Sequence, residues 1–210
     1  MVLPKETAIF SYDTAIYPFK KHIKKALQAY HDDLEDLKDE KFQKEITTQA
    51  KDQSSIYHQR FYDNRVSSGF MGLYYKFLRE IIKPDFAFEK MVYQTVPTFR
   101  IAYQGNMAVG EWHRDTDYGH SINEINIWIP VTKTYKSNTI MIEGRNIDME
   151  YGQYLVFNGD RLHGNIPNCE GWTRVSFDFR IMDFKKYKPS NKVSISAGKK
   201  FIIGDYFSVI

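Results

Sequence analysis

Apolar residues recur at the spacing of a helix face in two stretches near the start of the chain. They recur every three or four positions over residues 19–37 and again over residues 70–81, and Pro84 follows the second stretch. This period places apolar side chains on one face of an α-helix, and a proline in a helix interior removes a backbone hydrogen bond. The pattern therefore predicts an amphipathic helix over residues 19–37 and a second helix that ends near Lys83. The polar stretch 39–65 is predicted to be loop with a short helix.

After Pro84 the pattern changes to short runs rich in Val, Ile, Tyr, Phe and Trp, separated by Gly, Asn and Asp. Such runs are typical of successive β-strands. Helices followed by strands, without βαβ alternation, favour a sandwich or barrel buttressed by helices over a parallel sheet. We therefore predict one domain over residues 1–210, mainly β with helices (α+β), in which residues 1–84 give helical support and residues 85–210 form the β part. The predicted strands cover residues 91–104, 125–132, 138–143, 151–158, 172–182 and 199–207.

Composition and charge narrow the classes of partner. The 210 residues are 42% hydrophobic, which suits a single domain with a sizeable core. Lys and Arg outnumber Asp and Glu by only 29 to 26, so the dense positive field that nucleic-acid binding requires is not expected. The sequence contains no secretory signal and no run of about 18 apolar residues, so no membrane partner is expected and a cytoplasmic location is predicted. The single cysteine, Cys169, excludes an intramolecular disulfide and is interpreted as an ordinary semi-buried thiol.

His113 and Asp115 stand two positions apart, so on an extended segment both side chains project to the same face. His163 follows later, after the predicted strand 151–158 and a turn. Two imidazoles and one carboxylate on one face of an octahedral ion leave three positions open, which is the arrangement of non-haem Fe(II) oxygenases. His113, Asp115 and His163 are therefore candidates for a metal site, although an H-x-D pair alone is a weak signal and a single histidine is more often a satisfied polar group than a ligand. His120 is the rival third ligand, but it would crowd the loop that follows Asp115.

The predicted strand over residues 172–182 alternates with unusual regularity. Its apolar residues share one face and its polar residues share the other, with Val175, Phe177, Phe179 and Ile181 opposite Arg174, Ser176, Asp178 and Arg180. Arg174 and Ser176 can therefore grip one carboxylate together, because a guanidinium is a bidentate fork and a hydroxyl adds a further donor. From the strand alone, an equally good interpretation is that the polar face meets solvent.

The order of these residues resembles the Fe(II)/2-oxoglutarate-dependent oxygenases, which carry an H-x-D…H motif followed by R-x-S. The resemblance covers residues 96–182 and implies a double-stranded β-helix, the jelly-roll fold that cupins also have. It further implies that the three metal-binding candidates hold Fe(II), and that Arg174 and Ser176 hold the distal carboxylate of 2-oxoglutarate. The stretch HRDTDYGHSINEINIWIPVT is similar to a bacterial and phage branch named after a streptomycin-biosynthesis protein, StrG.

The chemistry implied by this resemblance is the oxidation of a substrate by O2, with 2-oxoglutarate converted to succinate and CO2. Related halogenases carry a small residue in place of the aspartate, so Asp115 favours hydroxylation or a similar oxidation. A small-molecule substrate is the expected partner. Asn126 is expected to contact 2-oxoglutarate. The remaining candidates for contact with the substrate or with the metal ligands are Arg100, Asp117, Tyr118, His120, Trp128 and Arg180.

Two other functions fit part of the pattern. A cupin-like barrel that binds a metal or small ligand without oxidising anything, as an isomerase or a sensor does, has no need of a carboxylate clamp. Arg174 and Ser176 therefore argue against it. A nucleic-acid demethylase would need a basic groove with stacking aromatic residues, and the near-neutral charge argues against that function.

Overall fold

The computed structural model of the chain describes residues 7–30, 33–38, 53–108, 111–195 and 197–210. Its helices are α1 Phe19–Leu27, α2 Ile56–Asn64, α3 Phe70–Phe77 and α4 Lys83–Phe86, with a π-helical turn Leu78–Ile82 joining α3 to α4. Short 3-10 turns cover Leu34–Asp36, Asp115–Tyr118, Lys136–Asn138 and Phe184–Lys186. The strands are β1 Ala8–Ser11, β2 Met91–Gln94, β3 Thr98–Ala102, β4 Ile125–Pro130, β5 Ile140–Ile142, β6 Arg145–Ile147, β7 Gln153–Asn158, β8 His163–Gly164, β9 Arg174–Asp183, β10 Ser190–Val193, β11 Lys200–Phe201 and β12 Phe207–Val209.

The strands form a large and a small antiparallel sheet. The large sheet has the order β1-β7-β4-β9-β2-β12, and β3 pairs with the first half of β9. The small sheet has the order β6-β5-β8, and β10 pairs with β11 as a separate ribbon. The architecture is the α+β double-stranded β-helix predicted from the sequence, with a cleft between the two sheets.

The first helix is shorter than predicted. It ends at Leu27, where Gln28 takes a left-handed conformation with φ of 57°, and the prediction of a helix over residues 19–37 was therefore wrong. The chain turns back, so that the Asp33 carboxylate lies 3.4 Å from the Lys24 ammonium and Glu35 lies 3.0 Å from Lys20. Asp33 and Glu35 therefore pair with lysines of α1 and are not part of that helix.

The second helix runs further than predicted. Pro84 does not end it, because the proline lies in the first turn of α4, directly after the π-helical turn. The Lys83 backbone N–H still bonds to the Leu78 carbonyl oxygen at the wider π-helical spacing, and Pro84, which has no N–H, follows this bond. The helix ends at Phe86, where Ala87 takes a left-handed conformation.

Two of the predicted strands are interrupted, and four strands were missed. The predicted strand 91–104 is divided into β2 and β3, and 199–207 contains β11 and a turn at Gly204, where φ is +93°. The strands missed are β1, β6, β8 and β10. Of the predicted loop 39–65, residues 39–52 lie outside the described residues, and the remainder contains α2, the expected short helix.

The apolar face of β9 forms the core against the helices. The Phe177 ring centroid lies 4.9 Å from that of Phe19 and 5.2 Å from that of Phe70, and Phe179 lies 5.0 Å from Tyr74. The other face of β9 points into the cleft. Arg174, Ser176 and Arg180 are buried there, so the interpretation that this face meets solvent was wrong.

Two further expectations can be compared with the described residues. Cys169 is exposed, not semi-buried as interpreted from the sequence, since it lies in the loop before β9. Among the helices of the described ranges, none has the length and apolar character needed to cross a bilayer.

Candidate metal centre

The three predicted metal ligands lie together at one end of the cleft. His113 and His163 exchange two backbone hydrogen bonds of 3.0 Å, so an isolated bridge aligns their side chains, and Asp115 begins the following 3-10 turn. The Asp115 Oδ1 lies 3.7 Å from His113 Nε2 and 3.8 Å from His163 Nε2. One ligand atom from each residue lies within 4.8 Å of the others. This donor set is able to hold a divalent ion.

Both imidazoles are oriented by backbone carbonyls. His113 Nδ1 lies 2.9 Å from the Glu111 carbonyl oxygen, and His163 Nδ1 lies 2.8 Å from that of Arg161. A carbonyl oxygen only accepts, so Nδ1 is the donor in both rings, and in the neutral imidazole Nε2 is then the atom with the lone pair. Such outer hydrogen bonds fix the tautomer and ring orientation of metal-binding histidines.

The charge states also suit a metal ion. Burial would raise the pKa of the Asp115 carboxyl, but the Arg180 guanidinium and then the His113 imidazole outweigh it and hold that pKa well below its usual range. Burial lowers the pKa of His163, against the opposing pull of Asp115. Asp115 is therefore ionised and His163 neutral near pH 7, and these are the states from which both groups bind metals.

Arg180 and Asn126 hold the Asp115 carboxylate. Arg180 donates from Nε to Oδ2 at 3.0 Å and from Nη2 to Oδ1 at 3.1 Å, and Asn126 Nδ2 donates to Oδ2 at 2.8 Å. Asn126 on β4 is the cross-strand partner of Arg180 on β9, which explains why both reach the same carboxylate. Asn126, expected to contact 2-oxoglutarate, donates here to the predicted metal ligand Asp115.

Arg174 and Ser176 lie further along the same face of β9. The Arg174 guanidinium is buried 5.7 Å from the Trp128 ring and donates to the Asn138 carbonyl oxygen at 3.0 Å. Its Nη2 lies 3.4 Å from Asn165 Oδ1. Ser176 is fully buried, and within the described part of the chain its hydroxyl has no hydrogen-bond partner. Arg174, Trp128, His113 and His163 all line the cleft.

Arg100 and Asp178 contribute an ion pair to the cleft wall. Arg100 Nε donates to Asp178 Oδ1 at 3.0 Å, and Asp178 Oδ2 lies 3.5 Å from Arg180 Nη1. Both residues line the cleft. Charges of alternating sign therefore run from Arg100 through Asp178 and Arg180 to Asp115.

The three candidates after the H-x-D motif occupy different positions. The Tyr118 ring packs edge-on against His113 with centroids 5.3 Å apart. Asp117 is not part of the three-residue cluster and accepts from the Arg114 backbone N–H at 3.1 Å. His120 lies 2.7 Å from Glu124 and packs 4.2 Å from the Phe201 ring, and it is not part of the three-residue cluster. The rival third ligand thus anchors the C-terminal ribbon to this loop.

Several parts of the site have no signal in the sequence. The carbonyl groups of Glu111 and Arg161 belong to the backbone, so no pattern of residue types reveals that they orient the two histidines. The partner of Arg180 could not be predicted without knowing which strands pair. Gly159 offered a weak signal as a turn residue after a strand. A Cβ at Gly159 would lie 2.8 Å from Asp115 Oδ2, so a larger side chain would displace the carboxylate.

Comparison with curated proteins finds a relative over most of the chain. The streptomycin biosynthesis protein StrG of Streptomyces griseus is 38% identical over 168 residues, which are 79% of this chain and 81% of that protein. No protein-family model matches the chain.

Comparison with solved structures finds the same fold at low identity. The non-haem alpha-ketoglutarate-dependent carbocyclase SnoK from nogalamycin biosynthesis is 10% identical and aligns with a TM-score of 0.51, over 98% of this chain and 92% of that one. AviO1 from Streptomyces viridochromogenes Tue57 is 13% identical with a TM-score of 0.46, over 88% and 92% of the two chains. At such identity the likeness to SnoK shows a common fold.

Proposed function

The chain belongs to the family of the streptomycin biosynthesis protein StrG, and from that premise we propose that it is a non-haem Fe(II), 2-oxoglutarate-dependent oxygenase. It hydroxylates or otherwise oxidises a small-molecule substrate and releases succinate and CO2. The observation that carries the proposal is one cleft lined both by His113 and His163 of the two-histidine, one-carboxylate cluster and by Arg174, with the buried Ser176 on the same strand face as Arg174. A cytoplasmic location stays a prediction from the sequence.

The donor set supports iron. Two imidazole nitrogens and one carboxylate oxygen suit Fe(II), with Mn(II), Co(II) and Ni(II) as substitutes, whereas thiolate-preferring ions would need sulfur ligands. Both histidines present Nε2 to the same space, because their Nδ1 atoms are on backbone carbonyls. His113, Asp115 and His163 would hold the ion.

The buried hydroxyl of Ser176 supports 2-oxoglutarate. A buried polar atom without a partner costs about 1–3 kcal/mol, so it is rare unless a ligand satisfies it. Among the described residues no group satisfies Ser176 Oγ, and the Arg174 guanidinium is on the same strand face. A carboxylate at this point would accept from the hydroxyl and from the guanidinium.

The protein side chains have distinct tasks in this proposal. Bound iron and 2-oxoglutarate would supply the activation of O2. Arg174 and Ser176 would orient the distal carboxylate of the co-substrate, Trp128 would cover the guanidinium from water, and the Arg100–Asp178 pair would form a polar wall for the substrate.

The test combines binding with turnover. We expect anaerobic Fe(II) and 2-oxoglutarate to give a metal-to-ligand charge-transfer band, and metabolite pools containing the substrate to stimulate succinate formation. His163→Ala should abolish metal binding, whereas the matched variant His120→Ala should retain it, because His120 binds Glu124 and Phe201 instead. Metal binding without the band would favour a non-oxidising cupin-like barrel. Equal metal loss in both variants would refute the ligand assignment.

A further inference from the structure

The metal-facing carboxylate has almost no free hydrogen-bonding capacity. An ionised carboxylate offers about four lone-pair positions, two on each oxygen. At Asp115, Oδ2 accepts from Asn126 Nδ2 at 2.8 Å and from Arg180 Nε at 3.0 Å, and Oδ1 accepts from Arg180 Nη2 at 3.1 Å. Three positions are therefore filled by described residues, and the fourth belongs to Oδ1.

The remaining position is directed toward the histidines. Oδ1 is the oxygen that lies 3.7 Å and 3.8 Å from the two Nε2 atoms, and Oδ2 is the oxygen that two donors hold. An ion between the three ligands would therefore meet one carboxylate oxygen. For Oδ2 to bind as well, it would have to give up hydrogen bonds from both Asn126 and Arg180.

Arg180 is itself fixed in place. Its Nη1 lies 3.3 Å from Gln94 Oε1 and 3.2 Å from the Tyr206 hydroxyl, and the side chain is buried. Asp178 adds an ion pair at 3.5 Å. A guanidinium held at this many points cannot follow the carboxylate if it rotates, so the carboxylate keeps the orientation that Arg180 sets.

We propose that Arg180 and Asn126 are positioning residues that restrict Asp115 to one metal-bound oxygen. The proposal rests on the proposed metal-binding role of Asp115. With one oxygen bound, three protein ligands leave three positions of an octahedral ion open, which are enough for a chelating co-substrate and O2. If both oxygens bound, only two positions would remain, and chelation by 2-oxoglutarate would occupy both.

The test is the coordination of Mn(II) in crystals and in solution, with no turnover required. In crystals of the Mn(II)-loaded wild type we expect one Asp115 oxygen on the metal and the other on Asn126 and Arg180. In the double variant Asn126→Leu/Arg180→Met, which lacks both donors to Oδ2, we expect both oxygens on the metal. Water-proton relaxation of bound Mn(II) should then report one water ligand fewer than in the wild type.

Tyr206→Phe is the matched control. It removes a hydroxyl from Arg180 but leaves every donor to Asp115, so it should keep the wild-type count of water ligands. Two bound oxygens in the wild type, or one bound oxygen in the double variant, would overturn the proposal. If the double variant does not fold, Asn126→Leu still tests the proposal. Arg180 holds both oxygens in that variant, so it should keep one bound oxygen, and two bound oxygens would refute the role of Arg180.

The outcomes separate this proposal from the proposed function. One bound oxygen without any 2-oxoglutarate-dependent turnover would refute the proposed function and support the positioning role of Arg180 and Asn126. Turnover with two bound Asp115 oxygens would support the proposed function and refute the positioning role. A wild type that binds no divalent ion would overturn both.

Discussion

The two faces of the ten-residue strand β9 have different surroundings: one face packs in the apolar core, and the other faces the cleft. On one face, Phe177 and Phe179 pack among aromatic side chains of the helices, and each ring has several interchangeable neighbours. On the other face, Arg180 donates two hydrogen bonds to the Asp115 carboxylate in one fixed geometry. The Ser176 hydroxyl has no hydrogen-bond partner among the described residues.

This difference shows where stability and function lie. Burial of apolar area is non-directional, so the helix face contributes stability whatever the exact rotamers of its neighbours. Buried polar groups stabilise only when every donor and acceptor is matched, so the cleft face contributes specificity at a cost in stability. The following experiments test this contrast, in order of decreasing effect.

The largest effect on stability should come from Phe177→Ala. The ring is fully buried against Phe19 and Phe70, and removing such a side chain typically costs about 3–5 kcal/mol of unfolding free energy. Urea unfolding measures the loss, and the matched variant Phe177→Leu should lose less than about 1.5 kcal/mol. The folded fraction should still bind 2-oxoglutarate with unchanged affinity. A loss confined to affinity would reverse the assignment of the two faces.

Arg174→Leu should act on the co-substrate instead. Loss of a partnered charge in a desolvated pocket costs about 2–5 kcal/mol, or roughly 30-fold to several thousand-fold in 2-oxoglutarate affinity. Iron affinity should stay nearly unchanged, because Arg174 does not touch the metal ligands. Arg174→Lys should recover only part, since an ammonium lacks the planar two-point contact. Anaerobic titration of the charge-transfer band measures both variants.

Arg180→Leu is the contrast on the same strand face. It should weaken or alter metal binding through Asp115 and affect 2-oxoglutarate only as a consequence. If 2-oxoglutarate affinity survived Arg174→Leu and collapsed with Arg180→Leu at saturating metal, the proposed position of the co-substrate would be wrong.

Ser176→Ala should separate binding from stability at a single atom. One hydrogen bond to a charged group contributes about 1.5–3 kcal/mol, so 2-oxoglutarate affinity should fall by roughly 10-fold to 150-fold. In the absence of ligand the variant should unfold no more easily than the wild type, because the hydroxyl has no partner to lose among the described residues. A destabilised apo protein with normal affinity would contradict the proposed clamp.

The smallest change in the free energy of unfolding, counted per pH unit, should come from His58, which lies in helix α2. Burial, and next the nearby Arg100 guanidinium, lower the pKa of His58 to about 3 in the folded protein, against an ordinary value of about 6.5. Between these values only the unfolded chain binds the proton, so the free energy of unfolding decreases as pH falls, by up to about 1.4 kcal/mol per unit. Above pH 6.5 this penalty is absent. Unfolding of His58→Gln should depend less steeply on pH over this window, and an unchanged slope would exclude His58 as the cause.

The sequence was sufficient for groups whose role follows from local spacing. The alternation of β9 predicted both of its faces, and the H-x-D spacing predicted that His113 and Asp115 lie close together in one cluster. Periodicity also identified Leu34 and Leu37 as core residues, although the chain reaches them through a turn at Gln28 instead of a helix. Apolar spacing fixes which side chains are buried more firmly than it fixes the backbone between them.

Contacts between segments that are distant in the sequence could not be predicted from local spacing. The pairing of Arg180 with Asp115 requires the register of β4 against β9 and the 3-10 turn after His113. The tautomers of the two histidines depend on backbone carbonyls, which every residue has. Neither feature leaves a pattern of residue types that could be recognised in a single chain.

The contact between Asp115 and Arg180 has a consequence for the order of assembly. It joins groups 65 residues apart in the chain, and contacts of such separation form only after the loop-closure entropy between them has been overcome. The carboxylate is therefore neutralised by a cation of the protein itself once the barrel has closed. A zinc finger, in contrast, folds because its metal draws the ligands together. Under the proposed function, a metal ion would bind after the site has formed, and its removal would leave the fold in place.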